Sequence, residues 1–541
     1  MLHLYDEIFF NLFPFYFDIY YISDTMFLIN KEREFRMNDT LKKLTEQLND
    51  LDHDMAAITY MESLLGFDSM TTASKDGVFA RSKVISFVST LYFNTLINPT
   101  VDKLLHELGK ISHQLDPLTQ AKFQHFKREY EKISPIPVKE YADYQSLLVE
   151  SSNAWEKAKK ADDYNLFAPY LKKVIETTKR FINYRGYTGH PYNTLLNDYE
   201  PGATVEMLDE FFDELKASIV PLVQQIQAQP TPETSFLNTT FPIAEQEAFS
   251  LYIMEALDFR MDGGSLSESE HPFTQNMSPD DVRITTHFHE QDLINPIFST
   301  IHETGHGLYE QNISKEIGFS CLATGVSMGI HESQSRLYEN NFGRNQAFWK
   351  RHMPKLVELF PDVLGSISVE TFTKAINKVE PSLIRVDADE VTYPLHIMVR
   401  YEMEKELMEH AFDINDLPKR WADKYEEYVG VRPTTDANGI LQDVHWSEGL
   451  FGYFPSYALG SAYAAQFEHA MQKDLDVLDC LEEGKMEEIL AWLSSHIHQY
   501  GSTQTPAKII EGASGEAFNP KFFTDYLTKK YQSLYNLKER I

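Results

Sequence analysis

Residues 298–311, FSTIHETGHGLYEQ, predict a helix that is apolar on most sides and yet carries two histidines and a glutamate. Because residues four apart lie one above the other on a helix, His302 and His306 can present their nitrogens to one cation. Glu303 lies about 100° further around the helix, within reach of a water held there. Polar side chains within an apolar helix need partners. The segment therefore favours a metal site over the alternative, a surface helix with two solvated histidines.

A third ligand is expected from a later segment, because a catalytic zinc takes three protein ligands and keeps one position open. The spacing H-E-x-x-H-x-x-G-x-x-H, which supplies a third histidine locally, is absent. The helical segment SMGIHESQSRLYENNFG, residues 327–343, offers His331, Glu332 and Glu339. We favour Glu332 as the third ligand, with His331 as the alternative. Glu303 then remains free to act as the general base in amide hydrolysis, taking a proton from the attacking water.

The fold class predicted is mainly α, because helical patterns extend over most of residues 37–541, with breaks near 385–394 and 432–439. Residues 260–281 read as a loop. The segment DVRITTHFHE that follows alternates, with Val282 and Ile284 on one face and Arg283, His287 and His289 on the other. We expect one large helical domain with a small β-sheet beside the HExxH helix, and a strand placed to hold substrate backbone by strand addition.

The first 36 residues differ from the rest of the chain. They are crowded with Phe, Tyr and Ile and contain no Lys or Arg before Lys31, so they lack the ordered parts of a signal peptide. Acidic residues interrupt them too often for a membrane span. We interpret residues 1–36 as translated upstream sequence, non-native or disordered, with the protein proper starting at Met37; the alternative is a genuine helix that packs or anchors.

The charge and the cysteine content of the chain exclude some kinds of binding partner and metal site. With 49 Lys and Arg against 81 Asp and Glu, the formal net charge is -32, which argues against nucleic acid and anionic membrane as partners. The chain has two cysteines, Cys321 and Cys480, and no C-x-x-C. A thiolate zinc site is therefore excluded, and the absence of a disulfide framework fits a cytoplasmic protein.

Six motifs in register resemble the carboxypeptidase Taq (M32) family of metallocarboxypeptidases: HPF (271–273), DVRIT (281–285), HETGH (302–306), HESQSR (331–336), IRVDADEV (384–391) and GILQDVHW (439–446). The resemblance covers roughly residues 37–541. One slight departure is Val391, where the family usually has Leu or Ile, and it affects no catalytic position.

The resemblance implies a mostly helical fold with a long central groove, a homodimer, and one divalent metal, Zn²⁺ or Co²⁺. It also implies the release of single residues from peptides with free C-termini, with broad preference. By the same resemblance, His302, His306 and Glu332 match the metal ligands and Glu303 matches the general base.

A carboxypeptidase has to bind a terminal carboxylate, and an arginine does so through two parallel hydrogen bonds. We favour Arg385, with Arg283, Arg336 and Arg432 as alternatives and a structural ion pair as the competing role for Arg385 and Arg283.

The substrate carbonyl develops negative charge during attack, which an imidazole or phenol donor stabilises. His445, Tyr453 and Tyr457 are the candidates for this donor and for the substrate pocket, and Asp443 is a candidate to orient His445 or a ligand histidine.

Two other functions remain open on the sequence. An endo-acting zinc oligopeptidase on a similar helical fold would share the metal site but would not need a carboxylate-binding arginine. A helical binding or scaffold protein with a dead site is disfavoured by the complete set of His302, Glu303, His306 and Glu332.

Overall fold

Capping residues set the ends of the N-terminal helices in the computed structural model of the protein, which describes residues 39–537. Asn98 accepts hydrogen bonds from the backbone of Thr100 and Val101, and Asp116 does the same for the helix that it precedes. Each cap is followed by a proline. In the first turn of a helix the backbone N–H has no partner within the helix, so a proline, which has no N–H, loses nothing there. The helices of this part are α1 (39–70), α2 (Val78–Leu96), α3 (Pro99–Ile111) and α4 (Pro117–Ile133).

After α4, the longest stretch without an α-helix, residues 257–293, holds the sheet, and the breaks predicted near 385–394 and 432–439 fall at residues 377–392 and 429–454. The helices are α5 (Val138–Ala161), α6 (Ala168–Arg185), α7 (Asn193–Tyr199), α8 (Val205–Gln227), α9 (Ile243–Ala256), α10 (Ile294–Gln311), α11 (Met328–Arg336), α12 (Gln346–Leu359), α13 (Pro361–Leu364), α14 (Val369–Ile376), α15 (Tyr393–Glu409), α16 (Leu417–Tyr428), α17 (Pro455–Met471), α18 (Val477–Glu483), α19 (Met486–His496), α20 (Pro506–Ser514) and α21 (Lys521–Leu534). A π-helical segment, Leu337–Phe342, continues α11.

A three-stranded sheet lies against α10, in the order β1-β3-β2, where β1 is Gly264–Glu268, β2 is Thr274–Ser278 and β3 is Asp281–Thr286. β1 pairs with β3 in parallel and β2 pairs with it antiparallel. The loop predicted for residues 260–281 is therefore wrong, since it contains two strands. Both strands are short, polar and at the sheet edges, so they carry little of the apolar alternation by which strands are recognised.

The predicted strand of DVRITTHFHE is correct in kind but too long. β3 ends at Thr286, and His287 and His289 lie beyond it, with ring centroids 5.1 Å apart. β3 is also the middle strand, so its backbone is already paired on both sides and cannot take up a substrate strand. The edge strand beside the HExxH helix is β2, which corrects the expectation that residues 281–289 would hold substrate backbone.

Glycines allow α10, α11 and α17 to pack closely. A Cβ on Gly305 would lie 2.7 Å from the backbone oxygen of Gln334 and 2.7 Å from the Cα of Ser335, both in α11. A Cβ on Gly460 of α17 would overlap the side chain of Glu332. Two backbones therefore cross at a distance that only glycine permits. This contact brings the HETGH and HESQSR segments together.

A cleft of about 870 Å³ separates two groups of elements. We call α10, α11, β2 and residues 453–457, which include the start of α17, the ligand wall, and α1, α2 and α4 the N-terminal wall. The ligand wall belongs to the main hydrophobic core, whereas the N-terminal wall has a smaller core of its own, which extends from Leu44 to Phe126. The mainly α fold with a small sheet beside the HExxH helix is thus confirmed.

Within residues 39–537, no helix is both long and apolar enough to cross a bilayer. The interpretation of residues 1–36 as an extension concerns a segment that lies outside the described residues, and the boundary at Met37 stays a prediction.

Candidate active site

Three candidate ligand atoms for a metal ion meet on the ligand wall. One ligand atom each from His302, His306 and Glu332 lies within 4.8 Å of the other two. The Nε2 atoms of His302 and His306 are 3.9 and 3.6 Å from Oε2 of Glu332. α10 supplies both histidines from successive turns, and the close crossing of α11 supplies the carboxylate. The grouping is the one expected from the sequence, and His331, the alternative third ligand, is not part of it.

Buried partners orient these side chains. Nδ1 of His302 is 2.9 Å from Oε2 of Glu339, so it donates to that carboxylate and leaves Nε2 free. Oε1 of Glu332 accepts from Nε of Arg336 at 2.7 Å, which turns Oε2 toward the histidines. Burial opposes ionisation of Glu332, but Arg336 and the hydrogen bond with His306 hold its pKa well below the usual range. The group therefore presents an ionised carboxylate.

This donor set fits a divalent cation such as zinc. Two imidazole nitrogens and one carboxylate oxygen are the ligands that catalytic zinc takes in proteins, and three protein ligands leave a position for substrate or water. Glu339 and Arg336 occupy Nδ1 of His302 and Oε1 of Glu332. The other ring nitrogen of His302 and the other carboxylate oxygen of Glu332 are therefore left to converge. The chemistry of the donor set does not by itself choose between zinc and cobalt.

Glu303 lies next to this group without belonging to it. Its Oε2 accepts a hydrogen bond of 2.7 Å from the hydroxyl of Thr274 on β2, and its side chain lines the cleft. Burial raises the pKa of Glu303, partly offset by His302 and by the Thr274 hydroxyl. A carboxylate with a raised pKa takes and returns protons more readily near neutral pH.

Tyr453 and Tyr457 reach the cleft, and His445 lies one layer behind them. Nε2 of His445 is 3.3 Å from the hydroxyl of Tyr457, and burial lowers the pKa of His445 to about 4. Burial raises the pKa of Tyr453 to about 12, so its hydroxyl stays a donor at neutral pH. Of the three donor candidates, the two tyrosines can touch a substrate directly.

Arg385 is buried and already engaged. Its Nε and Nη2 each lie 2.9 Å from Oδ1 of Asp443, and its Nη1 donates to the hydroxyl of Tyr393. Asp443 also accepts from Arg400, and the two arginines, opposing the effect of burial, hold its pKa well below the usual range. Asp443 thus bonds to arginines and not to a histidine as suggested above. The guanidinium of Arg385 lies 5.1 Å from the ring of Tyr457, which lines the cleft, whereas Arg385 itself does not.

The other candidate arginines also have acidic partners. Arg283 pairs with Asp281 through two hydrogen bonds of 2.9 and 2.8 Å, as the competing structural role anticipated. Arg336 contacts Glu332 and Glu339, and Arg432 pairs on the surface with Asp423 and Glu426. Among residues 39–537, the cleft lining contains no Lys or Arg.

Sequence reasoning missed several residues of the site. Thr274 and Gly460 have no local motif of their own, although Thr274 directly follows HPF. Glu310 lies four residues after His306 on the same face of α10, a spacing that would have identified it. The N-terminal wall brings Tyr60, Glu62 and other side chains to the cleft from helices that show no chemical pattern.

The chain is similar to known carboxypeptidases over nearly all of its length. The family model described as carboxypeptidase Taq (M32) metallopeptidase matches residues 47–531. Carboxypeptidase 1 of Bacillus subtilis is 44% identical over 498 residues, which span 92% of this chain and 99% of that protein. Thermostable carboxypeptidase 1 of Thermus thermophilus is 37% identical over 91% of this chain and 98% of that protein.

Solved structures agree with this similarity. The M32 carboxypeptidase of Deinococcus radiodurans superposes with a TM-score of 0.88 at 32% identity, covering 91% of this chain and all (100%) of that one. Metallocarboxypeptidase 1 of Trypanosoma cruzi gives a TM-score of 0.87 at 33% identity, over 91% of this chain and 99% of that one. The chain described above therefore belongs to the carboxypeptidase Taq (M32) family of metallopeptidases.

Proposed function

We propose that this protein removes single residues from the C-termini of peptides, with His302, His306 and Glu332 holding one divalent metal ion, Zn²⁺ in the first instance and Co²⁺ as the alternative. The observation that carries the proposal is the convergence of these three ligand atoms within 4.8 Å beside a second carboxylate, that of Glu303, which is not part of the group. When bound, the ion supplies Lewis acidity, which makes water more acidic and polarises a carbonyl.

Glu303 acts as the general base. Its side chain lines the cleft next to the ligand group, and its Oε2 accepts a hydrogen bond of 2.7 Å from the hydroxyl of Thr274. Glu303 takes a proton from the attacking water and passes it to the nitrogen of the departing residue, so the same carboxyl serves both halves of the reaction. The Tyr453 hydroxyl donates to the carbonyl oxygen as negative charge develops on it. His445 supports this pair of tyrosines through its contact with Tyr457.

Arg385 recognises the terminal carboxylate of the substrate, with Tyr457 in front of it. The guanidinium of Arg385 lies 5.1 Å from the ring of Tyr457, which lines the cleft, and its charge is balanced by Asp443, which Arg400 shares. Arg283 is the alternative, and it is likewise held by a carboxylate, through two hydrogen bonds with Asp281. The competing function is an endo-acting oligopeptidase, which the resemblance of the whole chain to carboxypeptidases disfavours.

A peptide ladder tests the proposal. Metal-loaded protein is incubated with a set of peptides that carry either a free carboxylate or a C-terminal amide, and the products are weighed by mass spectrometry. We expect sequential loss of single residues from free acids only. Replacing Arg385 by Ala should lower kcat/KM for free acids and leave the amides at background. Internal fragments, or equal cleavage of acids and amides, would contradict exopeptidase activity.

The proposed assembly is a homodimer. Helix α2 exposes apolar side chains, with Phe79 and Phe87 exposed by 76% and 68%. Apolar patches of this kind on a folded protein are usually covered by a partner. Light scattering after gel filtration should give twice the mass of one chain, and replacing both phenylalanines by Ser should give single chains. A wild-type protein of one chain would contradict the proposal.

We also propose a cytoplasmic location. The two cysteines, Cys321 and Cys480, are both free thiols. Reduced thiols without any disulfide fit a reducing compartment. Cell fractionation with a marker enzyme for each compartment would check this.

A further inference from the structure

His331 lies directly behind His306. The Nδ1 atoms of the two rings are 2.6 Å apart, and the opposite nitrogen of His331, Nε2, lies 2.7 Å from Oε1 of Glu310. The ring centroids are 4.6 Å apart. Nitrogen, nitrogen and carboxylate oxygen thus form an unbroken hydrogen-bonded chain that starts at His306 and ends at a glutamate with 2% exposure.

The direction of the hydrogen bonds follows from the acceptor at the end of the chain. Nε2 of His331 faces a carboxylate, so it carries the hydrogen, and the neutral ring then has its lone pair on Nδ1. Nδ1 of His306 must therefore carry the hydrogen that this lone pair accepts. That leaves the lone pair of His306 on Nε2, the atom that lies 3.6 Å from Oε2 of Glu332. The hydrogen-bonded chain selects the tautomer of His306 that can bind a metal ion through Nε2.

Several elements fix the end of the chain. Glu310 is on α10, one turn after His306, and its carboxylate accepts from the side chain of Asn276 on β2, from the Thr324 hydroxyl at 3.0 Å and from the backbone of Gly325 at 3.2 Å. With four donors around it, counting His331, Glu310 has no freedom to turn.

Residue 325 also closes the space around the imidazole. A Cβ at Gly325 would lie 2.7 Å from Cδ2 of His331, so the backbone there packs against the ring. On the other side, the ring of Tyr309 has its centroid 5.2 Å from that of His331. The His331 ring is therefore held in one orientation by packing as well as by its two hydrogen bonds.

We propose that His331 and Glu310 are positioning residues that hold His306 with its hydrogen on Nδ1 and its lone pair on Nε2, turned toward the metal. The inference rests on the proposed role of His306 as a ligand. His302 is oriented by a single carboxylate, that of Glu339, whereas His306 is oriented by a histidine that a carboxylate orients in turn. Both histidines of α10 thus carry their hydrogen on Nδ1. One partner sets this tautomer in His302, and two successive partners set it in His306.

Three variants of His331 separate positioning from packing. His331→Phe keeps the ring and removes both nitrogens. His331→Gln keeps one acceptor and one donor, so it can accept from His306 and donate to Glu310. His352→Phe is the matched control, because His352 is a buried histidine on α12 with one hydrogen bond, to Tyr252 at 3.0 Å.

The main readout is metal affinity of the metal-free proteins, measured by competition with a chromophoric chelator for Zn²⁺ and for Co²⁺. We expect His331→Phe to bind roughly 10- to 100-fold more weakly, the usual effect of removing such a partner. His331→Gln should recover most of that loss, and His352→Phe should bind like the wild type. The Co²⁺ absorption spectrum, which reports the ligands directly, should change in His331→Phe alone.

Other outcomes overturn the inference. Wild-type affinity and spectrum in His331→Phe, or equal losses in the Phe and Gln variants, would reduce His331 to a packing residue. If His331→Phe does not fold, His331→Asn replaces it, because its shorter amide cannot span both partners and should fail where Gln succeeds. His306→Ala is the separate check on the proposed function: if it binds metal as tightly as wild type, His306 is no ligand and both proposals fail.

Discussion

The two walls of the cleft differ in how firmly their side chains are held. On the ligand wall, Glu303, Glu310 and Glu332 are buried. Glu303 and Glu310 each accept a hydrogen bond from another element, and Glu332 accepts one from Arg336 on its own helix. On the N-terminal wall, α2 is largely exposed, and Glu62 has one long contact, 3.4 Å from the hydroxyl of Ser89. Between them, Gln275 of β2 contacts Ser63 of α1 at 3.0 Å. The difference teaches that the candidate catalytic groups and the opposite side of the cleft are built on separate cores, so we expect a change on one wall to leave the other intact.

The largest loss of catalytic rate is expected from Glu303→Gln on the ligand wall. Loss of a general base typically lowers the rate by about 10²- to 10⁴-fold, and the amide can still accept from Thr274, so the fold and the bound metal should remain. kcat on a free-acid peptide and metal content per chain are the measurements. The control is Glu129→Gln on the N-terminal wall, where Glu129 already pairs with Lys132. Activity within tenfold of wild type would remove Glu303 from the mechanism.

A pH effect on stability comes next, from Glu200 beneath the ligand wall. Glu200 accepts from the backbone of Gly329 at the start of α11, and burial raises its pKa to about 7. Its folded pKa is above its unfolded value, so its contribution to stability is complete below about pH 4.5 and is lost as the pH rises through about 7. The shift corresponds to about 3 kcal/mol at most.

Urea unfolding of wild type and Glu200→Gln at pH 5 and pH 8 checks this. The wild type should lose more stability than the variant between the two pH values, since glutamine does not titrate. Parallel losses in the two proteins would show that Glu200 ionises normally in the folded state.

The close crossing of α10 and α11 predicts an intermediate effect for Gly305→Ala. The added methyl group would meet the backbone of Gln334 and Ser335 at 2.7 Å, and overpacking of this kind costs about 1–3 kcal/mol. Gly512→Ala on α20 is the matched control, because a Cβ there meets nothing within 4 Å, and it should stabilise the helix by about 0.5–1 kcal/mol. Thermal unfolding of both variants measures the difference. If Gly305→Ala unfolds at the same temperature as the wild type, α10 and α11 can move apart to accommodate the methyl group.

The smallest effect is expected on the N-terminal wall. Glu62 lines the cleft and forms no ion pair among the described residues, so Glu62→Gln removes one unbalanced negative charge. We expect KM to rise a few-fold for peptides that carry Lys or Arg, about 0.2–1 kcal/mol, with kcat unchanged. The same peptides with neutral residues serve as the control. A change in kcat instead of KM would mean that the two walls are not separate in function.

Much of the ligand wall could be predicted from the sequence because its chemistry is local. His302, Glu303 and His306 follow from one helical turn, and Glu332 follows from the need for a third ligand within a nearby helix. The close crossing that joins the two helices depends on Gly305 and Gly460, and a glycine in a sequence does not say which backbone it lets approach.

The sheet and the N-terminal wall were harder to predict for two different physical reasons. β1 and β2 are polar edge strands stabilised mainly by pairing with β3, so their own residues carry a weak signal. The side chains of α1, α2 and α4 look like those of any amphipathic helix, and their place at the cleft is set by tertiary packing alone. Likewise, the pairing of Arg385 with Asp443 joins residues 58 positions apart, and no local pattern reveals it.

Helix α17 serves two parts of the cleft at once, since Tyr457 faces the substrate space and Gly460 makes room for Glu332. The two residues are three positions apart. Each residue of a helix adds a rise of about 1.5 Å and a turn of about 100°, so this spacing sets the direction in which each of the two points. Inserting or deleting a single residue between Tyr457 and Gly460 would turn one of them away, so the number of residues between them is fixed by the two tasks that they serve.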